Sequence, residues 1–226
     1  MDFTFQPHAH AILIDNQLVV LDEKLDTYLI FNESQTATLT NGDNDCEEYN
    51  EIRHELTSLN IITDSIDNAI PLTKANDDYE GIDNYTWRIK RQNPRQRFKL
   101  LPTMRACLDL LHLKLTIALG GLETCLNSMR ASKKALSGNP LSAWHESIES
   151  YAQGIRIASF VLPFKVKCLE SSICLFKHTM RNNKNCDFFI GVQLYDFLSH
   201  AWIEINGEVI ADDPHLSRKL PKILTI

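Results

Sequence analysis

Short runs of alternating apolar and polar residues open the chain and predict a small β-sheet. Residues 11–15 and 18–22 flank Asn16-Gln17, as the strands of a hairpin do, and residues 27–31 supply a third strand. Apolar residues at helical spacing follow from Glu47. Three strands and two or three helices in so short a stretch are typical of a winged-helix-like unit.

The second half of the chain has a helical period first and an alternating one afterwards. Leucines recur at intervals of three and four after residue 100, with Gly120-Gly121 as a break. The alternating part surrounds Asn206-Gly207, a turn-forming pair. We therefore predict an α+β fold. The elements expected in this half are helices at 100–136, 143–162 and 168–180, and strands at 188–194, 200–205 and 208–212.

Charge divides the chain into two parts. Residues 1–85 contain 18 Asp and Glu against 3 Lys and Arg, a net charge of -15. Residues 86–226 contain the remaining 11 acids and 20 bases, a net charge of +9. Opposite net charges of this size indicate two modules that attract each other, or an acidic module with a basic partner. We predict modules at 1–80 and 100–226, joined by a linker at 81–99.

A cationic run covers the predicted linker. Lys and Arg occur seven times between positions 88 and 105 with no acid among them. A run of this kind can bind nucleic acid, but only Trp87 and Phe98 could stack on bases there. A linker that docks on the acidic module is the favoured interpretation, so no nucleic-acid partner is predicted.

The chain shows neither a secretion signal nor an apolar run long enough to span a membrane. Its first ten residues contain no Lys or Arg, and the longest apolar candidate, residues 108–122, is interrupted by charge. A cytoplasmic protein with free thiols is therefore expected. The six cysteines are at positions 46, 107, 125, 168, 174 and 186.

Three residues near the end of the chain are candidates for nucleophilic catalysis. Cys168 stands at the start of a predicted helix, where free backbone N–H groups and the helix dipole stabilise a thiolate and can receive an oxyanion. His200 begins a predicted strand, and an acid on the next strand can orient its imidazole. The arrangement is that of a Cys-His-Asp device.

The geometry of the hairpin decides which acid faces His200. A two-residue turn at Asn206-Gly207 would bring Asp213 opposite His200, whereas a three-residue loop would bring Asp212 there. Only the three-residue loop leaves the other face of the hairpin uniformly apolar, as a half-buried hairpin requires. Asp212 and the three-residue loop are therefore expected.

A metal site is the alternative use of the same region. Cys174 and His178 lie one helical turn apart, with Cys168 and Cys186 nearby in sequence. No C-x-x-C or H-x-x-x-H pair supports zinc, and no Gly-rich phosphate loop is present, so neither a metal nor a cofactor is predicted.

Four short motifs resemble the lasso peptide B proteins, the transglutaminase-like leader peptidases of lasso peptide biosynthesis. They are CLESS at 168–172, IGV at 190–192, HAWIE at 200–204 and DDP at 212–214. The resemblance implies a papain-like fold, with Cys168 as nucleophile, His200 as base and Asp212 as orienting acid. It also implies a partner cyclase that closes the macrolactam with ATP.

Residues 9–75 resemble, more loosely, the leader-recognition element fused ahead of the peptidase in some family members. The resemblance implies that the leader of a ribosomally made precursor adds as a strand to the sheet edge beside a helix. The acidity of this module would favour a leader carrying Lys or Arg. The residues expected to form the leader-binding groove are Tyr28, Leu29, Ile30, Phe31, Ile52 and Leu56.

Two other functions use the same residues. A non-catalytic escort would bind the leader and present the precursor to other enzymes. A transglutaminase-type acyltransferase would pass the acyl group to an amine, because water and amines intercept the same thioester.

Overall fold

The computed structural model describes residues 3–42, 46–64, 71–75, 79–82, 99–135 and 145–226. The chain divides into two compact units, residues 1–79 with 221–224, and residues 80–220 with 225–226. Most of the predicted linker, including the cationic run from Arg88 to Arg97, lies outside the described residues. The fold is a mixed α+β one, as predicted.

The first unit is built on a sheet with the strand order β4-β3-β2-β6. The pairs β2–β3 and β3–β4 are antiparallel, and β6 is parallel to β2. A separate two-stranded ribbon joins β1 to β5. The elements are β1 (Thr4–Phe5), β2 (Ala9–Ile14), β3 (Gln17–Asp22), β4 (Thr27–Phe31), α1 (Glu33–Asn41), α2 (Glu47–Ser58), β5 (Ile62–Thr63) and β6 (Thr73–Lys74).

The three strands and the helix predicted for this region are confirmed, with one shift at the first turn. Ile14 pairs with Gln17, so the turn residues are Asp15 and Asn16 rather than Asn16-Gln17. Asp15 and Asn16 have φ angles of 47° and 59°. Two successive positive φ values are typical of the type I′ turn, which suits the twist of a hairpin.

Helix α1 begins and ends with recognisable caps. The Asn32 side chain accepts a hydrogen bond from the backbone N–H of Gln35 at 2.9 Å, and the Gln35 side chain accepts one from the backbone N–H of Asn32 at 3.1 Å. Gly42 ends the helix in the left-handed conformation with φ 66°. These reciprocal bonds fix the direction in which the chain leaves β4.

Three long helices, α3, α4 and α5, pack beside another sheet, which has the strand order β9-β8-β7-β10. Strand β8 is antiparallel to both β7 and β9. The elements are α3 (Leu100–Ala135), α4 (His145–Val161), α5 (Cys168–Arg181), β7 (Asp187–Gln193), β8 (Leu198–Ile205), β9 (Glu208–Val209), α6 (Leu216–Lys219) and β10 (Lys222–Thr225).

The predicted break at Gly120-Gly121 is confirmed. Gly121 has φ 72° and ψ 176°, which interrupts α3 and lets its two segments take different directions. Helix α5 is almost wholly buried from Glu170 to Met180, with Ile173 and Phe176 fully enclosed. Among the described residues, no helix has the length and apolar character that crossing a membrane demands.

Candidate active site

Cys168 is the first residue of α5, and its thiol is half-buried. The helix start is held by Glu170, whose carboxylate accepts a hydrogen bond from the backbone N–H of Lys167 at 2.9 Å. The other Glu170 oxygen accepts a bond from the Lys114 ammonium, which neutralises a carboxylate that is only 4% exposed. A side chain two positions after the thiol thus anchors the turn that carries it.

A hydrogen bond joins α5 to strand β8 next to the candidate base. The Ser172 hydroxyl donates to the backbone carbonyl of Ala201 at 2.8 Å, and both residues are buried. Because Ser172 lies one helical turn after Cys168 and Ala201 follows His200, this bond sets the separation of the thiol from the imidazole.

His200 lies between a carboxylate and the thiol. Its Nε2 is 2.8 Å from Oδ2 of Asp212, and the imidazole side chain is 4% exposed. The other Asp212 oxygen accepts a hydrogen bond from the backbone N–H of Asp213 at 2.8 Å, which holds the carboxylate in place. Since Nε2 is taken by Asp212, Nδ1 is the ring nitrogen that can exchange a proton with Cys168.

The surroundings of His200 favour its protonated form. Burial alone would lower the pKa of His200, but hydrogen bonds with Asp212 and Cys168, and the negative charges of both, outweigh burial and raise the pKa to about 9. An imidazole with that pKa is charged at neutral pH. The arrangement can therefore hold an imidazolium between the Asp212 carboxylate and the sulfur of Cys168.

The predicted three-residue loop of the hairpin is wrong. Ile205 pairs with Glu208, so Asn206 and Gly207 form a two-residue turn, with φ angles of 52° and 81°. The test for a uniform apolar face failed because β8 is buried on both faces. Glu204, on the same face of β8 as His200, is only 6% exposed.

Asp212 nevertheless faces His200, because the chain leaves strand geometry just before it. Strand β9 ends at Val209, and Ala211 has φ 62°, a left-handed conformation that is rare for a residue with a side chain. Asp213, the acid that a continuous two-residue hairpin would have presented, instead accepts a hydrogen bond from the Lys219 ammonium at 2.9 Å. Asp212 was therefore predicted as the partner of His200 from a strand register that the structure does not have.

A buried polar cluster beside His200 was not predicted. The indole N–H of Trp202 donates to Glu204 at 2.8 Å, and the Ser217 hydroxyl donates to the same carboxylate. The Trp202 ring lies nearly parallel to His200, with ring centroids 6.3 Å apart and an interplanar angle of 15°. Trp202 and Glu204 both belong to the HAWIE motif, and their spacing of two on one strand was the signal available in the sequence.

Gly191 makes room for that indole. It pairs with His200 across β7 and β8, and a Cβ added to it would lie 2.8 Å from both the Trp202 ring and Leu220. Real Cβ atoms do not approach other atoms so closely, so a side chain at this position would displace the ring. Glycine is needed here for its small size.

The residues predicted to bind a leader lie in two different settings. Tyr28 and Leu29 are half-buried and Ile30 is 43% exposed on β4, which is the edge strand of its four-stranded sheet among the described residues. Phe31, Ile52 and Leu56 are buried in the core of the first unit, at 8%, 7% and 1% exposed. These three side chains therefore pack inside the core and do not form part of an exposed groove.

The residues considered for zinc do not come together. In the part of the chain that is described, no group of three His, Cys, Asp or Glu side chains lies close enough to hold a metal ion. All six cysteines are free thiols. Cys174 is 2% exposed, and its burial raises the pKa of its thiol to about 12.

Residues 109–225, more than half of the chain, match the family described as the transglutaminase-like superfamily. The chain belongs to this superfamily. The matched segment contains Cys168, His200 and Asp212 together with the elements that position them. No solved structure matches the transglutaminase-like chain significantly.

A partial similarity to a curated protein accompanies the family match. The transglutaminase-like chain is 38% identical over 63 residues to the Microcin J25-processing protein McjB of Escherichia coli. The similar segment is 28% of this chain and 30% of that protein, so the chain spans about a third of the relative's length.

Proposed function

We propose that this transglutaminase-like protein is a cysteine peptidase that removes the leader from a ribosomally made lasso peptide precursor. The observation that carries the proposal is the hydrogen-bonded series from Cys168 through His200 to Asp212. The similarity to a microcin-processing protein and the four motifs supply the substrate class.

The reaction begins with attack of the Cys168 thiolate on the carbonyl carbon of the scissile peptide bond. The oxyanion that forms is received by backbone N–H groups in the first turn of α5. His200 gives its proton to the leaving amine, and a thioester remains on the sulfur. Water, deprotonated by His200, then hydrolyses the thioester and restores the thiol.

Leader binding is assigned to the first unit, as a winged-helix-like recognition element. The exposed edge of β4 can accept an added strand through its backbone groups, and the Ile30 side chain can contact the added residues. The net charge of -15 over residues 1–85 favours a leader that carries Lys or Arg. Salt should then weaken binding, because ions screen exposed charges.

The cyclase of the same pathway is the proposed partner, and it receives the freed core peptide. Cleavage itself needs no cofactor, because the thiol, imidazole and carboxylate supply the nucleophile and both proton transfers.

Incubation with the precursor encoded beside this gene tests the peptidase. Cys168→Ala and His200→Ala should abolish the mass of the freed core peptide while leader binding is retained, and Cys107→Ala, which removes another half-buried thiol, should leave cleavage intact. Full maturation by Cys168→Ala would establish the escort instead. A product carrying a new amide at the cut would establish acyl transfer.

A further inference from the structure

Helix α3, which is described over its whole length, carries two apolar stripes on different sides. Ala106, Leu110 and Leu113 form a buried stripe, which gives the helix its packed face. The second stripe faces solvent, and each of its side chains is at least 45% exposed. The members of this exposed stripe are Leu101, Met104, Leu108, Leu111, Leu115 and Leu119.

The exposed stripe has the spacing of a seam between two helices. Successive intervals of three, four, three and four residues from Leu101 to Leu115 are those of the a and d positions of a coiled coil. The segment from Leu101 to Leu119 is about 27 Å long. The core of the chain is already served by the buried stripe, so a second apolar face of this length indicates an interaction surface.

The order of the positions fits a second copy of the same chain. A two-fold axis requires a surface that matches itself, which two antiparallel α3 helices achieve when the axis passes through the middle of the stripe. Each apolar side chain then meets another apolar side chain. The resulting pairs are Leu101 with Leu119, Met104 with Leu115 and Leu108 with Leu111.

The charges beside the exposed stripe permit this pairing. The two Arg105 side chains start about 13 Å apart along the helix axes, which is more than the screening length of about 8–10 Å at ordinary salt concentrations. Lys114 lies level with Arg105 of the second copy, but its ammonium is already bonded to Glu170. Asp109 accepts a hydrogen bond from Arg181 at 2.8 Å, so its charge is compensated too.

The apolar area of the stripe is sufficient for a stable dimer. A leucine or methionine side chain has roughly 100 Å² of apolar surface, so the exposed fractions of the six members amount to about 400 Å² on each copy. Apolar atoms make up about 57–65% of protein interfaces, so the two copies together would bury about 1,200–1,400 Å². Specific, stable interfaces bury about 1,200–2,000 Å².

We propose that two copies of this chain associate through the exposed stripe, with their α3 helices antiparallel across a two-fold axis. Leu108 and Leu111 lie at the centre of the interface, where water is excluded most completely. The stripe is separate from the thiol, imidazole and carboxylate of the proposed peptidase, so the dimer does not depend on cleavage.

Sedimentation velocity of the full chain over a range of micromolar concentrations tests the association. The wild type should sediment as a dimer. Leu108→Glu should weaken association at least about hundredfold, because the two-fold axis buries the added charge twice. Leu108 is 65% exposed in the single chain, so the variant should fold. Leu25→Glu, which changes a leucine of similar exposure, 58%, in the first unit, should remain a dimer.

A mixture of two variants tests the antiparallel register. Leu111→Lys alone should be monomeric, as Leu108→Glu is, but the two variants mixed should form a heterodimer that native mass spectrometry detects. In the heterodimer the introduced carboxylate faces the introduced ammonium on one side of the axis, and the other side keeps its two leucines.

Three outcomes would overturn the proposal. They are a monomeric wild type, a dimer that persists in Leu108→Glu, and a mixture of the two variants that stays monomeric. A wild type that gains mass only when the cyclase is added would assign the stripe to that partner instead. Cys168→Ala should dimerise as the wild type does, so failure of the peptidase and failure of the dimer are distinguishable.

Discussion

The Ser172 hydroxyl is hydrogen-bonded to the Ala201 carbonyl at 2.8 Å, and this contact ties the helix of the thiol to the strand of the imidazole. We predict that Ser172→Ala lowers the cleavage rate at least about tenfold, because small displacements of reacting groups are costly. Steady-state kinetics should show the loss in kcat, with KM for the precursor little changed.

Ser171→Ala is the matched control for this prediction. Ser171 is buried in the same helix turn, but its hydroxyl has no hydrogen-bond partner among the described residues. Its removal should leave kcat unchanged. Equal loss in both variants would mean that the helix, rather than the bond to β8, had been disturbed.

Asp212→Asn should change the pH profile of cleavage as well as its rate. The wild-type kcat/KM should fall as pH rises through about 9, where His200 loses the proton that the leaving amine needs. A carboxylate stabilises the protonated ring, so its replacement lowers the pKa of His200 and moves this alkaline limb to lower pH. Asp213→Asn, which alters the carboxylate bonded to Lys219, should leave the pH at which kcat/KM falls unchanged.

The same raised pKa makes stability depend on pH. The protonated His200 ring, bonded to Asp212, stabilises the folded state. This contribution to the free energy of unfolding is fully present below pH 6.5, the ordinary pKa of histidine, and is lost as pH rises through about 9. Denaturant unfolding at a series of pH values should show a smaller decline in Asp212→Asn than in the wild type. An identical decline in the two proteins would contradict the role given to this carboxylate.

Gly191→Ala should lower the free energy of unfolding by about 1–3 kcal/mol, the usual cost of overpacking a core. The added Cβ would push the Trp202 ring away from its place beside His200, so cleavage should fall too. Gly120→Ala is the control, because the atoms nearest to an added Cβ there belong to the Thr124 side chain on the exposed surface of the helix. Denaturant unfolding measures both variants, and a wild-type value for Gly191→Ala would refute the packing argument.

Ile30→Lys should weaken leader binding about tenfold without lowering the melting temperature. Ile30 is 43% exposed on the edge strand β4, so lysine disturbs an added strand and not the core. Leu59→Lys changes a side chain of similar exposure, 36%, at the end of α2 and should bind normally. Fluorescence anisotropy with a labelled leader peptide gives both affinities. Equal affinities would place the leader elsewhere.

Local patterns predicted most of the fold because helices and hairpins are encoded within a few residues. The two-residue strands β1 and β5 escaped prediction, since they pair across 59 positions and neither is long enough to show a period. The burial of Glu204 also escaped prediction. An alternating pattern cannot reveal that a tryptophan and a serine hydroxyl bury a carboxylate.

Ala211, whose backbone is in the left-handed conformation, lies between the turn of the hairpin and Asp212. The backbone conformation of Ala211, and not strand pairing, directs the Asp212 carboxylate towards His200. A change in loop length at Asn206-Gly207 therefore need not move this carboxylate. The tip of the hairpin is thus a tolerant place for an inserted tag or reporter. Residue 211 is not, since a β-branched side chain there would resist the corner.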